Sequence, residues 1–337
     1  MIKTIIQAPA KKPTGIRHLS HTAENDPTNA VRLIPVRIPK PWGQEVWYTG
    51  IEARGESQVA TPSRPMRLSD YLNRIGLTEV LLLKILDPSP EPLLGDLYFE
   101  VHEKKREVYV VTHVPQNGGR IRFGMNQAMR AQFADDAAFR SAYIAAVQRY
   151  ETVRRRLDSR QSQPDQALAE EEAARRADMD AFTALRPLSI GDVIAVPTWT
   201  PHALQHGVRV VEFQTPVYER LIVSFTQKVL TQDHWDTLRA VERMKIGAPQ
   251  PPVFENVRPG VERVAQFEDF NVWRVDGRKA PDLQLPANLP YAVMMSLADN
   301  ASAGTVSLNR EDAAFVPSSA LHRPLNGDQY LIAAPGL

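Results

Sequence analysis

Two short stretches of the chain concentrate side chains that bind metal ions. The first carries Glu100 and His102, with Glu107 following after a charged turn. On an extended strand, residues two apart point to the same face, so Glu100 and His102 would act together. Glu107 would begin the next strand. The second stretch runs from Gly191 through Pro197 to His202 and His206. A strand ending near Val196 would feed a turn that presents His202. Two imidazoles and two carboxylates suit a divalent cation of borderline hardness and leave a position for water or a substrate oxygen. A single inward histidine on a strand is usually a hydrogen-bonded core residue. Four potential ligands at two matched spacings weigh against that reading, and against a site that has lost its metal. His113 and His234 fit neither spacing and read as structural or surface residues.

The elements around these residues read as short strands broken by turns. The chain has 337 residues, of which 27 are proline and 17 glycine. A prior of about 150 residues per domain gives two units. Strands are expected over 31–38, 81–86, 98–102, 108–112, 193–196, 208–213 and 221–225, with a helix over 68–76. Residues 126–186 change character. Phe139, Tyr143, Ala146, Tyr150, Val153 and Leu157 recur at spacings of three and four, which is one helical face. Asp135 and Asp136 stand where an N-cap belongs. Pro164 separates a second helix over 165–185, expected to bury Leu168, Met179, Phe182 and Leu185. The runs Arg154-Arg155-Arg156 and Glu170-Glu171-Glu172 read as solvated faces of these helices. A helix over 233–245 and an all-β unit over 253–335 complete the chain.

Composition excludes several classes. There are no cysteines, which removes disulfides, thiolate metal sites and cysteine nucleophiles. Lys plus Arg number 40 against 39 Asp plus Glu, so there is no electrostatic footprint for nucleic acid. No apolar run reaches membrane-spanning length, and the first residues lack a signal-peptide core. A cytoplasmic protein, monomeric or homodimeric, with no nucleic-acid or membrane partner is the expectation.

The two metal-capable stretches resemble the two cupin motifs. Gly191, Pro197 and His202 match the second, with Trp199 in place of its inner glycine and His206 in place of its asparagine. In the first, Glu100 stands where a histidine is usual. Further blocks, in order, resemble type I mannose-6-phosphate isomerase: Lys40-Pro41-Trp42-Gly43, Leu82-Leu83-Lys84-Ile85-Leu86-Asp87, Phe99-Glu100-Val101-His102, Lys105-Arg106-Glu107-Val108-Tyr109, Pro201-His202-Ala203-Leu204 and Glu212-Phe213-Gln214. The resemblance spans about residues 39–335. It implies a mainly β fold with a helical insertion and two cupin-like jelly-roll units. The metal-binding cupin would take 39–125 and 187–232, the insertion 126–186, and a helix plus degenerate second cupin 233–337, after an N-terminal extension over 1–38. His322 in the second unit lacks a partner ligand cluster and reads as structural.

The resemblance further implies one divalent metal on Glu100, His102, Glu107 and His202, with zinc first and manganese or iron(II) as alternatives. It implies catalytic roles for Glu212, Lys105 and Arg220 and substrate contacts from Lys84, Lys228 and Tyr98. Lys228 matches the family pattern better than Arg220 does. The reaction implied is mannose 6-phosphate to fructose 6-phosphate through an enediolate, with Glu212 as base and Lys105 or Arg220 as proton shuttle or anion clamp. For Glu212 the competing reading is a carboxylate paired with Arg209 or Arg220; for Lys105, an exposed turn lysine. One departure bears on the metal: Glu100 replaces a glutamine ligand, which adds a negative charge and lowers the ion's Lewis acidity. Two bear on substrate: Tyr98 replaces a serine that helps hold phosphate, and Glu103 replaces a proline. They leave open a cupin acting on, or binding, an unphosphorylated or differently charged sugar. A non-catalytic relative whose helices contact a partner is the third class.

Overall fold

The computed structural model describes residues 29–159, 166–226 and 235–336. Lys228 and His234 fall outside these residues. The chain is mainly β with helices inserted, and its sheets stack in layers. One six-stranded sheet runs in the order Val193–Val196, Glu107–His113, Arg209–Gln214, Leu82–Pro88, Gly43–Trp47, Val36–Lys40. A five-stranded sheet runs Thr183–Leu188, Gly119–Met125, His202–Leu204, Phe99–Val101, Leu221–Ser224. Tyr109, Val111, Ile194 and Leu86 from the first meet Ile121, Phe123, Phe99 and Leu204 from the second in one core.

Strand alternation makes the six-stranded sheet two-faced. Leu83, Ile85, Val108, Val110, Val211 and Phe213 point away from that core. They pack against Val272, Val293, Phe315 and Leu331 of a nine-stranded sheet built largely from the last third of the chain. The opposite face of that sheet buries Ala292, Met294, Val316 and Ile332 beneath a small three-stranded sheet. Each fully buried large apolar side chain in these layers contributes roughly 1.5–3 kcal/mol. With its outer face fixed this way, the six-stranded sheet can spend its inner face on polar residues.

The expected strand over 31–38 is two strands. Val31–Ile34 pairs with Ala313–Pro317 in the nine-stranded sheet, and Val36–Lys40 pairs with Gly43–Trp47 in the six-stranded one. Pro35, lacking an N–H, marks the crossing between sheets. Pro39 is tolerated because Val36–Lys40 is an edge strand.

The helical insertion joins two neighbouring antiparallel strands. Gly119–Met125 and Thr183–Leu188 pair from Gly119↔Leu188 to Met125↔Thr183, and the chain between them makes helices Gln127–Arg130, Asp136–Asp158 and Gln166–Asp180. Asp135 caps the long helix, accepting from the Ala138 N–H at 2.7 Å. Phe139, Tyr143, Ala146 and Tyr150 are buried on the first core, together with Ala240 and Val241 of helix Thr237–Arg243. The second insertion helix ends earlier than its periodicity suggests. Phe182 is buried beyond the helix end, and Leu185 lies 44% exposed on the following strand. The charge runs are only partly solvated. Arg156 and Glu171 form an exposed pair between helices, whereas Glu172 is buried and accepts from the Tyr150 hydroxyl at 3.1 Å. Among the described residues, no helix is long and apolar enough to cross a membrane.

Candidate active site

The inner face of the six-stranded sheet carries a row of polar residues set by register. Trp47, Lys84, Glu212 and Tyr109 are successive cross-strand partners, and Glu107 opposes Gln214 on the adjoining strands. From the five-stranded sheet, Glu100 and His202 are direct partners, and His102 follows at the end of strand Phe99–Val101. The two sheets therefore bring carboxylates and imidazoles together beside a cavity of about 350 Å³, which Glu100, Glu107 and Glu212 line.

Turns complete the site. Gly191 adopts a left-handed conformation (φ +90°) just before the strand that leads to His202. Gly95 allows the backbone to pass close by: a Cβ there would lie 1.9 Å from the Ser89 carbonyl oxygen. Trp199 keeps the left-handed conformation (φ +61°) that a glycine would adopt without strain. Its N–H donates to the His102 carbonyl at 2.7 Å, tying the two ligand-bearing segments together.

Both imidazoles are oriented by backbone. The Nδ1–H of His102 donates to the Glu219 carbonyl at 3.0 Å, and that of His202 to the Thr200 carbonyl at 2.9 Å. This leaves each Nε2 as a lone pair directed toward Glu107. His102 Nε2 lies 3.6 Å from Glu100 and 3.4 Å from Glu107; His202 Nε2 lies 3.0 Å from Glu107. Glu100, His102 and His202 place one donor atom each within 4.8 Å of one another. His102 Nε2, His202 Nε2 and Glu100 Oε2 are buried without a hydrogen-bond partner. Lone pairs gathered this way repel unless a cation lies among them, so the residues fit a divalent metal. Glu107 stands outside that group of three but lies against both imidazoles. Lys105 Nζ sits 2.6 Å from one of its oxygens, and the Tyr109 hydroxyl donates to the other at 2.7 Å.

Electrostatics follow from burial and pairing. Burial, with the Lys105 charge adding, holds His102 below the usual imidazole range. Burial works the same way on His202, but contact with Glu107 overcomes it and raises that imidazole. Burial opposes ionisation of Glu107 as well, yet Lys105 and the imidazoles hold it well below the carboxylate range. Lys84 stands between two carboxylates, 3.4 Å from Glu212 and 3.9 Å from Glu45. Those charges keep it an ammonium ion despite its burial. One ammonium cannot fully serve both acids. Glu45 also has Lys40 at 3.2 Å and the Trp47 indole N–H at 2.5 Å, and is held at about 2 against its burial. Glu212 is pushed up to about 8 by burial, aided by Glu107 and only partly offset by Lys84. Its Oε1 is buried and has no partner.

Several sequence readings are revised by these contacts. Glu212 pairs with Lys84, whereas Arg209 is engaged by Asp87 and Glu311. Lys105 is buried, not an exposed turn residue. Glu103 does not face the cavity; Arg239 and Arg243 hold it from the following helix at 2.9 and 3.0 Å. His206 is turned away from His202 and bonded to Asp96 at 2.7 Å. Tyr98 lines the cavity, stacked on Phe225 at 4.1 Å with the Arg220 guanidinium 4.4 Å from its ring centre. Sequence reasoning missed Glu45, Trp47, Tyr109, Gln214 and Glu219, all of which line the same cavity. The signal for Glu45 and Trp47 was alternation about the buried Val46.

No protein-family profile matches the sequence, and no curated protein sequence matches it significantly. Solved structures do share its fold. Mannose 6-phosphate isomerase from Bacillus subtilis is 16% identical, covers 91% of this chain over 99% of its own length, and superposes with a TM-score of 0.65. A variant of phosphomannose isomerase from Salmonella typhimurium and a zinc-bound mannose 6-phosphate isomerase are each 14% identical. Each covers 92% of this chain over 100% of its own length, with a TM-score of 0.64. At these identities the likeness is one of fold, extending over nearly the whole of the described chain.

Proposed function

We propose that this chain is a metal-dependent aldose–ketose isomerase. One observation carries the reading: buried Glu212, with one unpartnered oxygen, lines the same cavity as Glu100, which belongs with His102 and His202 to a group of unpartnered metal-ligating side chains. Aldose–ketose interconversion moves a proton between adjacent carbons through an enediolate, and needs a base beside an electrophile. Glu100, His102, Glu107 and His202 would hold the divalent ion, zinc by preference, which when bound polarises a substrate oxygen.

The chain's own residues supply the rest. Glu212 Oε1 is free to take the proton from carbon, while Lys84 holds the other oxygen and fixes the carboxylate plane. Lys105 and Tyr109 keep Glu107 ionised and in place. Arg220, over Tyr98 at the mouth, is placed to meet substrate hydroxyls or a terminal anion. Mannose 6-phosphate and fructose 6-phosphate are the first pair to test, because the proteins of similar fold bear that activity in their names. A second reading, an unphosphorylated sugar, is favoured by the pairing of the cavity's cations. The test is a coupled assay on metal-loaded protein with mannose 6-phosphate, free mannose and other hexose phosphates. Turnover of a hexose or hexose phosphate supports the reading; none with any of them refutes it.

A further inference from the structure

We infer that the cavity selects an uncharged sugar over a sugar phosphate. The inference rests on the isomerase reading and narrows its substrate class. A phosphate dianion needs unpaired cations or a free cluster of backbone N–H groups. Among the described residues, the cavity lining holds five cationic side chains and six carboxylates. Each of those cations has a carboxylate within 4.0 Å: Lys40 with Glu45, Lys84 with Glu212 and Arg54 with Glu52, while Lys105 and Arg220 lie against Glu107 and Glu100, two of the carboxylates that would hold the metal. Arg220 is the loosest, at 3.9 Å. Among the described residues, one guanidinium in monodentate reach does not offset the desolvation of a dianion beside Glu45, Glu52 and Glu219, the lining carboxylates that neither hold the metal nor serve as the base.

One backbone anion site among the described residues is already filled. The successive N–H groups of Glu103 and Lys104 form a small anion-binding nest, and the protein's own Glu219 carboxylate fills it, accepting from both. A substrate phosphate would have to displace that carboxylate from a segment whose carbonyl also orients His102. What remains for a ligand is the partner-free oxygens of Glu212 and Gln214, together with Tyr98 and Trp47, groups suited to hydroxyls and to the apolar face of a sugar ring.

The test compares mannose with mannose 6-phosphate on zinc-loaded protein, by kcat/KM and by thermal shift, with inorganic phosphate as a separate probe. We expect kcat/KM for mannose at least tenfold above that for its 6-phosphate, protection by mannose, and none by 10 mM inorganic phosphate. In Glu219→Ala, which vacates the nest, phosphate should begin to protect; in Glu219→Gln, which keeps it filled, it should not. Equal or better turnover of the 6-phosphate, or protection of the wild type by inorganic phosphate, overturns the inference and leaves the isomerase reading standing. Absence of turnover with both sugars counts against the isomerase reading. The thermal shifts then decide the inference alone: protection by mannose without phosphate supports it, and any other pattern overturns it.

Discussion

Lys84 and Glu212 face each other directly across two antiparallel strands, with the ammonium nitrogen 3.4 Å from one carboxylate oxygen and the other oxygen left free. This pair links the fold to the chemistry. The neighbouring residues Leu83 and Phe213 are buried against the nine-stranded sheet, so the strands cannot shift without exposing them. Glu212→Gln keeps the shape and removes the base. We expect kcat to fall 10²- to 10⁴-fold with little change in KM, measured at saturating metal. A loss under threefold would remove Glu212 from the reaction.

The same carboxylate sets the pH dependence. It is pushed up to about 8, and a base must be unprotonated to act. Activity should therefore rise with pH and level off above about 8. The stability linkage runs the opposite way: a raised folded pKa means that the proton favours the native state, and this contribution is lost as pH rises through 8. A kcat/KM profile that is flat from pH 6 to 9 would contradict the assignment.

Glu45 should matter for stability more than sequence suggests. Its folded pKa is about 2 against an ordinary 4.5, so its contribution is present above the ordinary value and lost as pH falls toward 2. A shift of that size corresponds to roughly 3 kcal/mol as an upper bound. Glu45→Gln leaves Lys40 and Lys84 without their shared anion. Denaturant unfolding at pH 7 should show a loss of about 2–3 kcal/mol, and a difference that shrinks toward pH 2. A variant as stable as wild type at pH 7 would show that Lys84 and Lys40 need no shared partner.

Metal content offers a direct check on the ligand cluster. Purified wild type should carry about one divalent ion per chain, and His102→Ala and His202→Ala should lose it while remaining folded. Chelation should lower the wild-type Tm; metal at a hundredfold its Kd contributes about 2.7 kcal/mol. Protons compete for both imidazoles, so occupancy should fall as pH drops through the histidine range, about 6.5. Equal metal in all three proteins would place the ion elsewhere.

Much of the site was legible because strand alternation is local. Lys84 and Glu212 each sit between apolar neighbours whose burial fixes the opposite face, and Glu100 and His102 share one by spacing alone. Glu45 was harder to see. Its role depends on Lys84, which is distant in sequence and meets it only after Gly43–Trp47 pairs with Leu82–Pro88. Non-local pairing hid the rest in the same way. Nothing near Val31 announces Phe315 as its partner, and the strand Gly119–Met125 gains its meaning from Thr183–Leu188 beyond three helices. Helix periodicity located the insertion but not its end, since Phe182 stays buried after the helix has stopped.

The central claim is proton transfer at carbon in this cavity, and solvent exchange reads it most directly. Metal-loaded protein would be incubated in D₂O with mannose, and separately with mannose 6-phosphate, and followed by proton NMR. The account predicts deuterium at C2 of recovered aldose or at C1 of the ketose formed, with the rate reduced at least a hundredfold in Glu212→Gln. Ketose formed without any deuterium uptake would point to hydride transfer, and neither exchange nor ketose with either sugar would contradict the isomerase assignment.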